Sequence, residues 1–530
     1  MNLRLTQTTG RRAFLRAGLA GAGALALTRA LPAAQAADLA SANPAIGEDT
    51  HVLARLAFGP AAPDRARLRS LGIDGWIAEQ LTPERIALPA DLQADLDALP
   101  TQKLSQYGLL TRYRESLAAG KKDDAGKALR RELVQTVALE DGQARLLRAL
   151  RSPRQLEEVM TEFWFNHFNV FADKGPIKLL AGNYEREAIR PHAFGRFRDL
   201  LGATARHPAM LFYLDNWISV AAGKTLPGGR NSGLNENYAR ELMELHTLGV
   251  DGGYSQKDVT ELARMLTGWT YNAQKDAPSV FGFDPKRHDD EPKVWLGQTI
   301  APAGEAEGER ALDTLARHPA TAKHIGFKLA QTFVADAPPP ALVDRLARRF
   351  GDTDGDIREV LRTLFASAEF RAPAVRGAKF KTPYRQVVSA VRVAGIAVEN
   401  ALPLRAVLTQ AGMPLYGCVT PDGWHDTEEA WLNPDAVARR VNFASTLAAG
   451  RLPLGRPFEA LVEAPVPDRA MAEDAAPARP TPVRAEPLDA AALLATLGDA
   501  ISPRTRDAVQ QARPELRAAL VLGSPDFMRH

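Results

Sequence analysis

The sequence predicts a mainly α-helical protein built as one large multi-helix domain. Apolar residues recur at helical spacing through most of the 530-residue chain, a pattern typical of helices that bury one face. Alternating strand-like runs are few, which argues against a sheet. Two of the helical stripes are Ile73, Trp76, Ile77 and Leu81, and Val360, Leu361, Leu364 and Phe365.

The first 36 residues have the features of a targeting segment. Arg11 and Arg12 in GRRAFLR precede an uncharged Ala/Gly/Leu stretch from Ala17 to Thr28, and the run ends in the small residues Ala34-Gln35-Ala36. The uncharged stretch is too short to cross a bilayer as a helix, which takes roughly 20 residues. We therefore predict a twin-arginine signal peptide over residues 1–36, removed after Ala36, and a periplasmic or secreted protein.

Removal of the signal changes the charge argument. It holds five arginines and no acid, so cleavage takes the net charge from +3 to −2. A nucleic-acid-binding protein keeps a basic face after processing, and this composition gives none. No later apolar run approaches about 18 residues, so we expect no transmembrane anchor in the mature protein. Cys418 is the only cysteine, which rules out an internal disulfide.

The mature chain divides into three predicted segments. A main helical domain covers residues 37–460, and its stretch Phe281–Ile300 (FGFDPKRHDDEPKVWLGQTI) has the alternation of an extended loop or short hairpin inserted between helices. Proline, alanine and charged residues dominate residues 461–487, which predicts a flexible linker. Residues 488–530 return to helical spacing, and we expect them to pack on the main domain.

The run GLNENYARELMELHTLG, residues 233–249, is the most informative candidate helix. Winding it at about 100° per residue places Glu241 among the leucines of the apolar face and His246 at the edge of that face. A buried, ionised carboxylate without a partner costs several kcal/mol, so we expect Glu241 to have one. Ordinary surface ion pairs at a spacing of four are the alternative for Glu236, Arg240 and Glu244.

A second candidate helix, LEEVMTEFWFNHFNVF, covers Leu156–Phe171. Here His167 shares a face with apolar residues and points inward, whereas Glu158, Glu162 and Asn169 mark a more polar side. An inward histidine is either hydrogen-bonded within the core or available as a metal ligand or general base. Both interpretations stay open.

The third candidate is His288-Asp289-Asp290 in the non-helical insertion. Beside Lys286, Arg287 and Lys293 it fits a solvated charged loop. Placed over the two helices, it would instead complete a set of imidazole and carboxylate ligands for zinc, iron or manganese.

These candidates give one predicted site on the two helices and the insertion. The predicted catalytic residues are Glu241, His167, Glu244 and Asn237; the predicted cofactor-binding residues are Arg240, Trp164 and Asn166; the predicted metal ligands are His167, Glu241, His246 and His288. The sequence lacks HExxH, GxSxG, Walker and GxGxxG motifs, so none of the common catalytic signatures decides the chemistry.

Several of these runs resemble a known family. HVLARLAFGP, EFWFNHFNV, NENYARELMELHTLGV and KFKTPYRQVVSAVRVAG, within about residues 49–450, are similar to the large bacterial family catalogued as domain of unknown function 1800. The resemblance implies a mainly helical exported protein and supplies no catalytic residue. It also implies a candidate partner, an exported protein of the domain of unknown function 1501 family, because genes of the two families often lie side by side.

Two functions follow. The first is an exported enzyme, a metal- or cofactor-dependent hydrolase or oxidoreductase, because the twin-arginine route carries folded proteins that often hold a cofactor. The second is a non-catalytic periplasmic binding or partner protein, in which the inward Glu and His fix helix register through hydrogen bonds.

Overall fold

Helices make up the first half of the folded chain. The computed structural model describes residues 46–120, 123–224, 233–272, 280–456, 458 and 485–530. Helices α1 to α6 are Glu48–Leu56, Ala62–Gln80, Ala90–Asp97, Gln106–Gly120, Asp124–Arg151 and Gln155–His167. The long α5 packs along α4 and continues to α6. Helix α2 bends at Gly72, whose φ of 72° is unfavourable for any residue with a β-carbon.

Shorter helices follow and lead into the strands. Helices α7 to α11 are Ala181–Tyr184, Phe197–Arg206, Pro208–Tyr213, Asn237–Glu244 and Gln256–Met265. A short 3₁₀ helix, Gly175–Leu179, precedes α7, and a π-helical turn, Glu185–Ile189, follows it. Helix α11 begins at a capping box, in which Ser255 and Asp258 bond each other's backbone N–H.

Two antiparallel hairpins lie between α11 and α12. Strand β1 (Trp269–Tyr271) pairs with β2 (Phe281–Phe283), and β3 (Lys293–Trp295) pairs with β4 (Gln298–Ile300). The extended insertion predicted at residues 281–300 is therefore confirmed, and the fold is mainly α-helical as predicted.

The second half returns to helices. Helices α12 to α20 are Glu305–Ala316, Pro319–Phe333, Pro340–Asp352, Ile357–Phe365, Ala368–Arg371, Pro383–Val393, Leu402–Gln410, Glu428–Trp431 and Pro434–Ala448. Helices α21 to α23 are Ala490–Leu497, Pro503–Gln511 and Pro514–Leu522. Several begin with a polar N-cap and then a proline, as at Thr382-Pro383 and Asn433-Pro434, because proline suits the first helical position.

The last helices join the rest of the fold. Helix α23 packs on α20. The chain beyond it runs back beside α17, where Lys381 N–H donates to Met528 O (2.9 Å) and His530 N–H to Lys379 O (2.9 Å). The predicted signal peptide and nearly all of the predicted linker lie outside the described residues. Within the described ranges, no helix combines the length and apolar character that a bilayer crossing requires.

Candidate functional site

Three histidines meet where α6, α13 and the end of α10 come together. The ring centre of His167, at the end of α6, lies 6.3 Å from that of His246 and 6.0 Å from that of His324 on α13. His167 Nε2 donates to His246 O (3.1 Å), and His324 Nε2 donates to Leu245 O (3.2 Å). Two successive carbonyls thus hold both imidazoles in the same tautomer.

These histidines are neutral at physiological pH. Burial lowers the pKa of His246 to about 3 and that of His324 to about 4, and it lowers the pKa of His167 well below 6.5. His246 Nε2 has no hydrogen-bond partner in the described structure. A neutral imidazole offers a lone pair for a proton or a metal, but it does not bring a positive charge.

The helix that carries Glu241 is shorter than the apolar pattern predicts. Helix α10 ends at Glu244, so His246 follows it in a turn and helical winding does not apply there. Glu241 is half-buried rather than enclosed, and its carboxylate makes no hydrogen bond or ion pair with the described residues. The expectation of a buried, paired Glu241 is wrong because the helix stops before the apolar face is complete.

Glu241 and His167 are related only indirectly, through the charges of Asp422 and Lys328. Burial, then Glu244 and Asp422, raise the pKa of Glu241. Burial lowers the pKa of the half-buried Lys328, while Asp426 and Asp422 oppose that shift. Lys328 in turn lowers the pKa of His167. Asp422 therefore acts on Glu241 and on Lys328, which acts on His167.

His288 belongs to a separate network. Its Nδ1 donates to Thr267 O (2.8 Å), and its Nε2 lies 3.1 Å from Glu307 Oε1. The Glu307 carboxylate also forms an ion pair with Lys293 Nζ (2.7 Å) and accepts a hydrogen bond from Ala303 N–H (2.8 Å). The sequence offered a solvated loop or a metal ligand for His288, and the structure gives neither, because a buried Glu–Lys pair holds the imidazole.

The remaining predicted residues have local partners. Trp164 is fully buried, and its indole N–H donates to Ala193 O (3.1 Å). Arg240 donates to Gln256 Oε1 (2.8 Å) and lies 3.4 Å from Glu236, as the surface-pair alternative predicts. Tyr254 donates to Glu244 (3.4 Å), and the Asn237 amide donates weakly to Leu214 O (3.4 Å).

A long irregular segment closes over the polar side of α6. We call residues 412–427, between α18 and α19, the site loop. Asn166 holds it at Trp424, donating to Trp424 O (2.8 Å) and accepting from Trp424 N–H (2.7 Å). Asn169 donates to Cys418 O (3.0 Å) and Thr420 O (2.8 Å). Both amides are therefore engaged by backbone, which makes Asn166 an anchor of the loop.

The approach between loop and helix depends on a glycine. Gly423 has a φ of 73°, and a β-carbon there would lie 2.3 Å from Asn166 O. No other residue fits both the left-handed backbone and the short distance. The site loop thus has one fixed position on α6.

The side chain of Glu162, on α6, faces a small cavity that the site loop also lines. It lines this cavity of about 30 Å³ together with Asn166, Tyr384 and Trp424. The carboxyl is partly exposed and makes no hydrogen bond or ion pair with the described residues. Burial raises its pKa to about 6 against the opposing charges of Arg385 and Arg145, and Asp426 adds to the rise. Such a group changes charge close to neutral pH.

A network of paired charges lies next to this cavity, which Arg145 lines. Arg190 makes a bidentate pair with Glu158 (2.8 and 2.9 Å) and reaches Glu185 (3.2 Å), which also pairs with Arg145 (3.1 Å). Glu185 lies on the π-helical turn, a feature common at functional sites. Because each of these carboxylates has an arginine partner, the network is structural.

Sequence periodicity placed Glu162 on the polar side of its helix but did not select it. The signal that was missed is the run GMPLYGCVTPDGWHD at residues 412–426, where glycine and proline alternate with polar residues in an otherwise helical chain. Such a loop carries functional groups more often than a helix interior does.

The predicted metal ligands are not brought together as one set. Among the residues that the structure describes, no group of three or more His, Cys, Asp or Glu side chains is arranged to hold a metal ion. His288 lies with Glu307, and Glu241 is linked to the histidines only through Asp422 and Lys328.

Comparison with known proteins gives one match. The family model described as "Protein of unknown function (DUF1800)" matches residues 51–529. No curated protein and no solved structure matches the chain.

Proposed function

This chain belongs to the DUF1800 family of proteins of unknown function, whose model spans residues 51–529, and we propose that it is an exported acid–base enzyme, a hydrolase centred on Glu162. Family membership brings no assigned activity, so the proposal depends on the side chains around the site loop. The observation that carries it is the unpaired, partly exposed carboxyl of Glu162 in its small cavity.

An unpaired carboxyl is exceptional on this part of α6. Glu158, one turn earlier, has a bidentate arginine partner at 2.8 and 2.9 Å, whereas no arginine bonds Glu162. Arg385 and Arg145 lie within electrostatic range of Glu162 and lower its pKa, but burial and Asp426 keep that pKa near 6. A general base is most effective when its pKa lies near the working pH, which favours this role.

The surroundings suit proton transfer to or from water. The cavity of about 30 Å³ is large enough to hold a water molecule. In the proposed step, a Glu162 Oε accepts a proton from water as the water oxygen attacks the substrate. The same oxygen then returns the proton to the leaving group. Arg145, which lines the cavity, and Arg385 lower the pKa of Glu162 and so favour the ionised form that accepts the proton.

The predicted residues have supporting parts in this proposal. Asn166 and Asn169 fix the site loop, whose Asp422 and Asp426 act on the half-buried Lys328. The ammonium group of Lys328 makes no ion pair or hydrogen bond with the described residues, so it is available to an anionic group.

The test combines titration with turnover. We expect the carboxyl of Glu162 to titrate near pH 6, seen by ¹³C NMR as the one glutamate signal that disappears in Glu162→Gln. In a screen of ester, amide, phosphoester and glycoside substrates, Glu162→Gln is expected to lower kcat/KM by about 10²–10⁴-fold. The acid limb of the kcat/KM profile should lie near pH 6.

The matched control is Glu84→Gln, which neutralises an exposed glutamate paired with Arg358 at 3.2 Å. It should leave turnover unchanged. A Glu162 that titrates below about pH 5, or a variant that retains full turnover, contradicts the proposal, since a paired or unperturbed glutamate titrates near 4.3.

Two predictions from the sequence have separate tests. Elemental analysis of protein exported by its native host tests the metal-dependent version, and co-purification tests a partner of the domain of unknown function 1501 family. If the protein contains a stoichiometric transition metal and His167→Ala removes it, the histidines rather than Glu162 form the active site.

A further inference from the structure

A large cleft of the described fold lies on the far side of the site loop. It measures about 820 Å³ and lies between α5, the segment around Gly175–Leu179, α18 and residues 414–417. Residues 414–417 also line the Glu162 cavity, so one stretch of the loop separates the two. A volume of this size accommodates a small organic molecule.

Four basic side chains line this cleft without partners. Arg130 and Arg131 on α5, Lys178, and Arg405 on α18 make no ion pair or side-chain hydrogen bond within the described ranges. Deeper arginines behave differently: Arg145 pairs with Glu185 at 3.1 Å, and Arg186 donates to Gln102 at 2.9 Å. The cleft therefore gathers cations that the fold does not neutralise.

Acidic groups offset this charge only in part. The acids in the lining are Asp173, which is exposed, and Asp141, which is buried at the cleft wall and accepts from Gln102 (2.7 Å). Burial raises the pKa of Asp141 to about 7, so its carboxyl carries a proton in much of the population at neutral pH. The cleft is positive at and below neutrality.

The remaining walls are aromatic and rigid. Tyr113, Phe171 and Tyr416 line them. Tyr416 has a φ of 55°, a left-handed backbone conformation that is unfavourable for a residue with a β-carbon. Its hydroxyl donates to Glu185 (3.1 Å), and its carbonyl accepts from Ala172 N–H (3.0 Å), so the strained residue is held from both ends. Strain maintained in this way is characteristic of ligand-binding walls.

The packing beneath Arg405 is also specific. Its side chain crosses α5 at Gly142, where a β-carbon would lie 3.3 Å from Arg405 Cδ. Glycine at this position lets the guanidinium lie against the cleft floor. The cation is thus positioned by packing, although no acid holds it.

We infer that this cleft binds an organic polyanion, a small molecule with two or more carboxylate or phosphate groups on a scaffold that packs against Tyr113, Phe171 and Tyr416. Four unpaired cations around a concave aromatic surface match that chemistry. The inference concerns a site separate from Glu162 and does not rest on the proposed function.

Calorimetric titration of the mature protein at low ionic strength tests this inference, with citrate as the carboxylate probe and pyrophosphate as the phosphate probe. We expect at least one of them to bind saturably with one-to-one stoichiometry, and acetate at equal ionic strength to give no saturable heat. The probe that binds more tightly shows whether the cleft prefers carboxylate or phosphate groups.

Variants locate the binding. Lys178→Ala/Arg405→Ala is expected to weaken the tighter probe by about tenfold or more, because two charge-assisted contacts are lost. The matched control Lys323→Ala/Arg348→Ala removes the same charge from two exposed, unpaired residues on α13 and α14 and should change affinity less than about twofold. Glu162→Gln should leave binding unchanged, so this site and the proposed catalytic site can fail independently.

Two results overturn the inference: no saturable binding of either probe, or equal weakening in the cleft and control variants, which would mean nonspecific attraction. Thermal unfolding of both double variants checks that each remains folded.

Discussion

The Glu307 network and the Glu162 cavity contain similar groups and differ in how completely those groups are paired. Glu307 is fully buried and bonds His288, Lys293 and Ala303 N–H. Burial opposes its charge, yet these contacts outweigh it and lower the pKa of Glu307. Glu162 has two arginines in range but bonds neither, and its pKa rises to about 6. The comparison teaches that the unpaired carboxyl, rather than the more deeply buried one, is the candidate for chemistry.

Asp141 is a third carboxyl for this comparison, and its pKa moves in the same direction as that of Glu162. It is buried like Glu307 and has a hydrogen bond from Gln102, but no ion pair neutralises it. Burial raises its pKa to about 7. Removing the charge should therefore lower stability at Glu307, where the contacts outweigh burial, and raise it at Asp141 and Glu162, where burial outweighs the contacts.

The largest effect is expected for Glu307→Ala. This change leaves Lys293 buried without its carboxylate partner, and breaking a buried pair costs about 3–5 kcal/mol of unfolding free energy. Urea denaturation at pH 7 measures it. Glu84→Ala, which removes an exposed member of a surface pair, should cost less than about 1 kcal/mol. A loss below about 1 kcal/mol for Glu307→Ala would contradict this prediction, because the Glu307 network would then contribute no more than a surface ion pair.

A pH-dependent effect of intermediate size is expected at Asp141. Its folded pKa of about 7 lies above the ordinary value of 3.8, so the folded protein keeps a proton that the unfolded chain releases. Stability is then highest below about pH 4 and falls as pH rises to about 7. Asp141→Asn removes this dependence and keeps an acceptor for Gln102.

The measurement is the unfolding free energy of Asp141→Asn and of wild type at pH 5.5 and pH 8. The advantage of the variant should be larger at pH 8 by on the order of 2 kcal/mol. Asp435→Asn, on the surface of α20 beside Arg439, is the control and should show no such trend. An equal difference at both pH values would mean that Asp141 is already ionised at pH 5.5.

The sequence predicted the helical fold and the hairpin insertion because both depend on local periodicity and local turns. It also placed His167 inward and Glu162 on the polar side of α6, which helical spacing determines. It misjudged Glu241 and His246, since the point at which α10 ends depends on tertiary packing. His288 lies in a charged stretch that is typical of a solvated loop, but folding of the insertion buries it.

The site itself depends on contacts across long stretches of chain. Asn166 meets Trp424, and the cleft joins Arg130 on α5 to Arg405 on α18. Nothing in the periodicity of either helix specifies such a meeting. The sequence does show the unusual composition of the site loop, where glycine and proline interrupt the helical pattern.

The smallest effect is expected for Glu162→Gln, which, like Asp141→Asn and unlike Glu307→Ala, should stabilise the protein. Between pH 7 and 8 the wild-type carboxyl is ionised in a setting that disfavours its charge, so the neutral isostere should raise the unfolding free energy by on the order of 1 kcal/mol. The gain should vanish near pH 4.5, where the carboxyl is protonated in the folded protein. Stability measured with that variant at both pH values, beside its turnover, separates a tuned functional group from a structural one. A functional carboxyl gains stability and loses activity when neutralised, whereas a structural carboxyl like Glu307 loses stability.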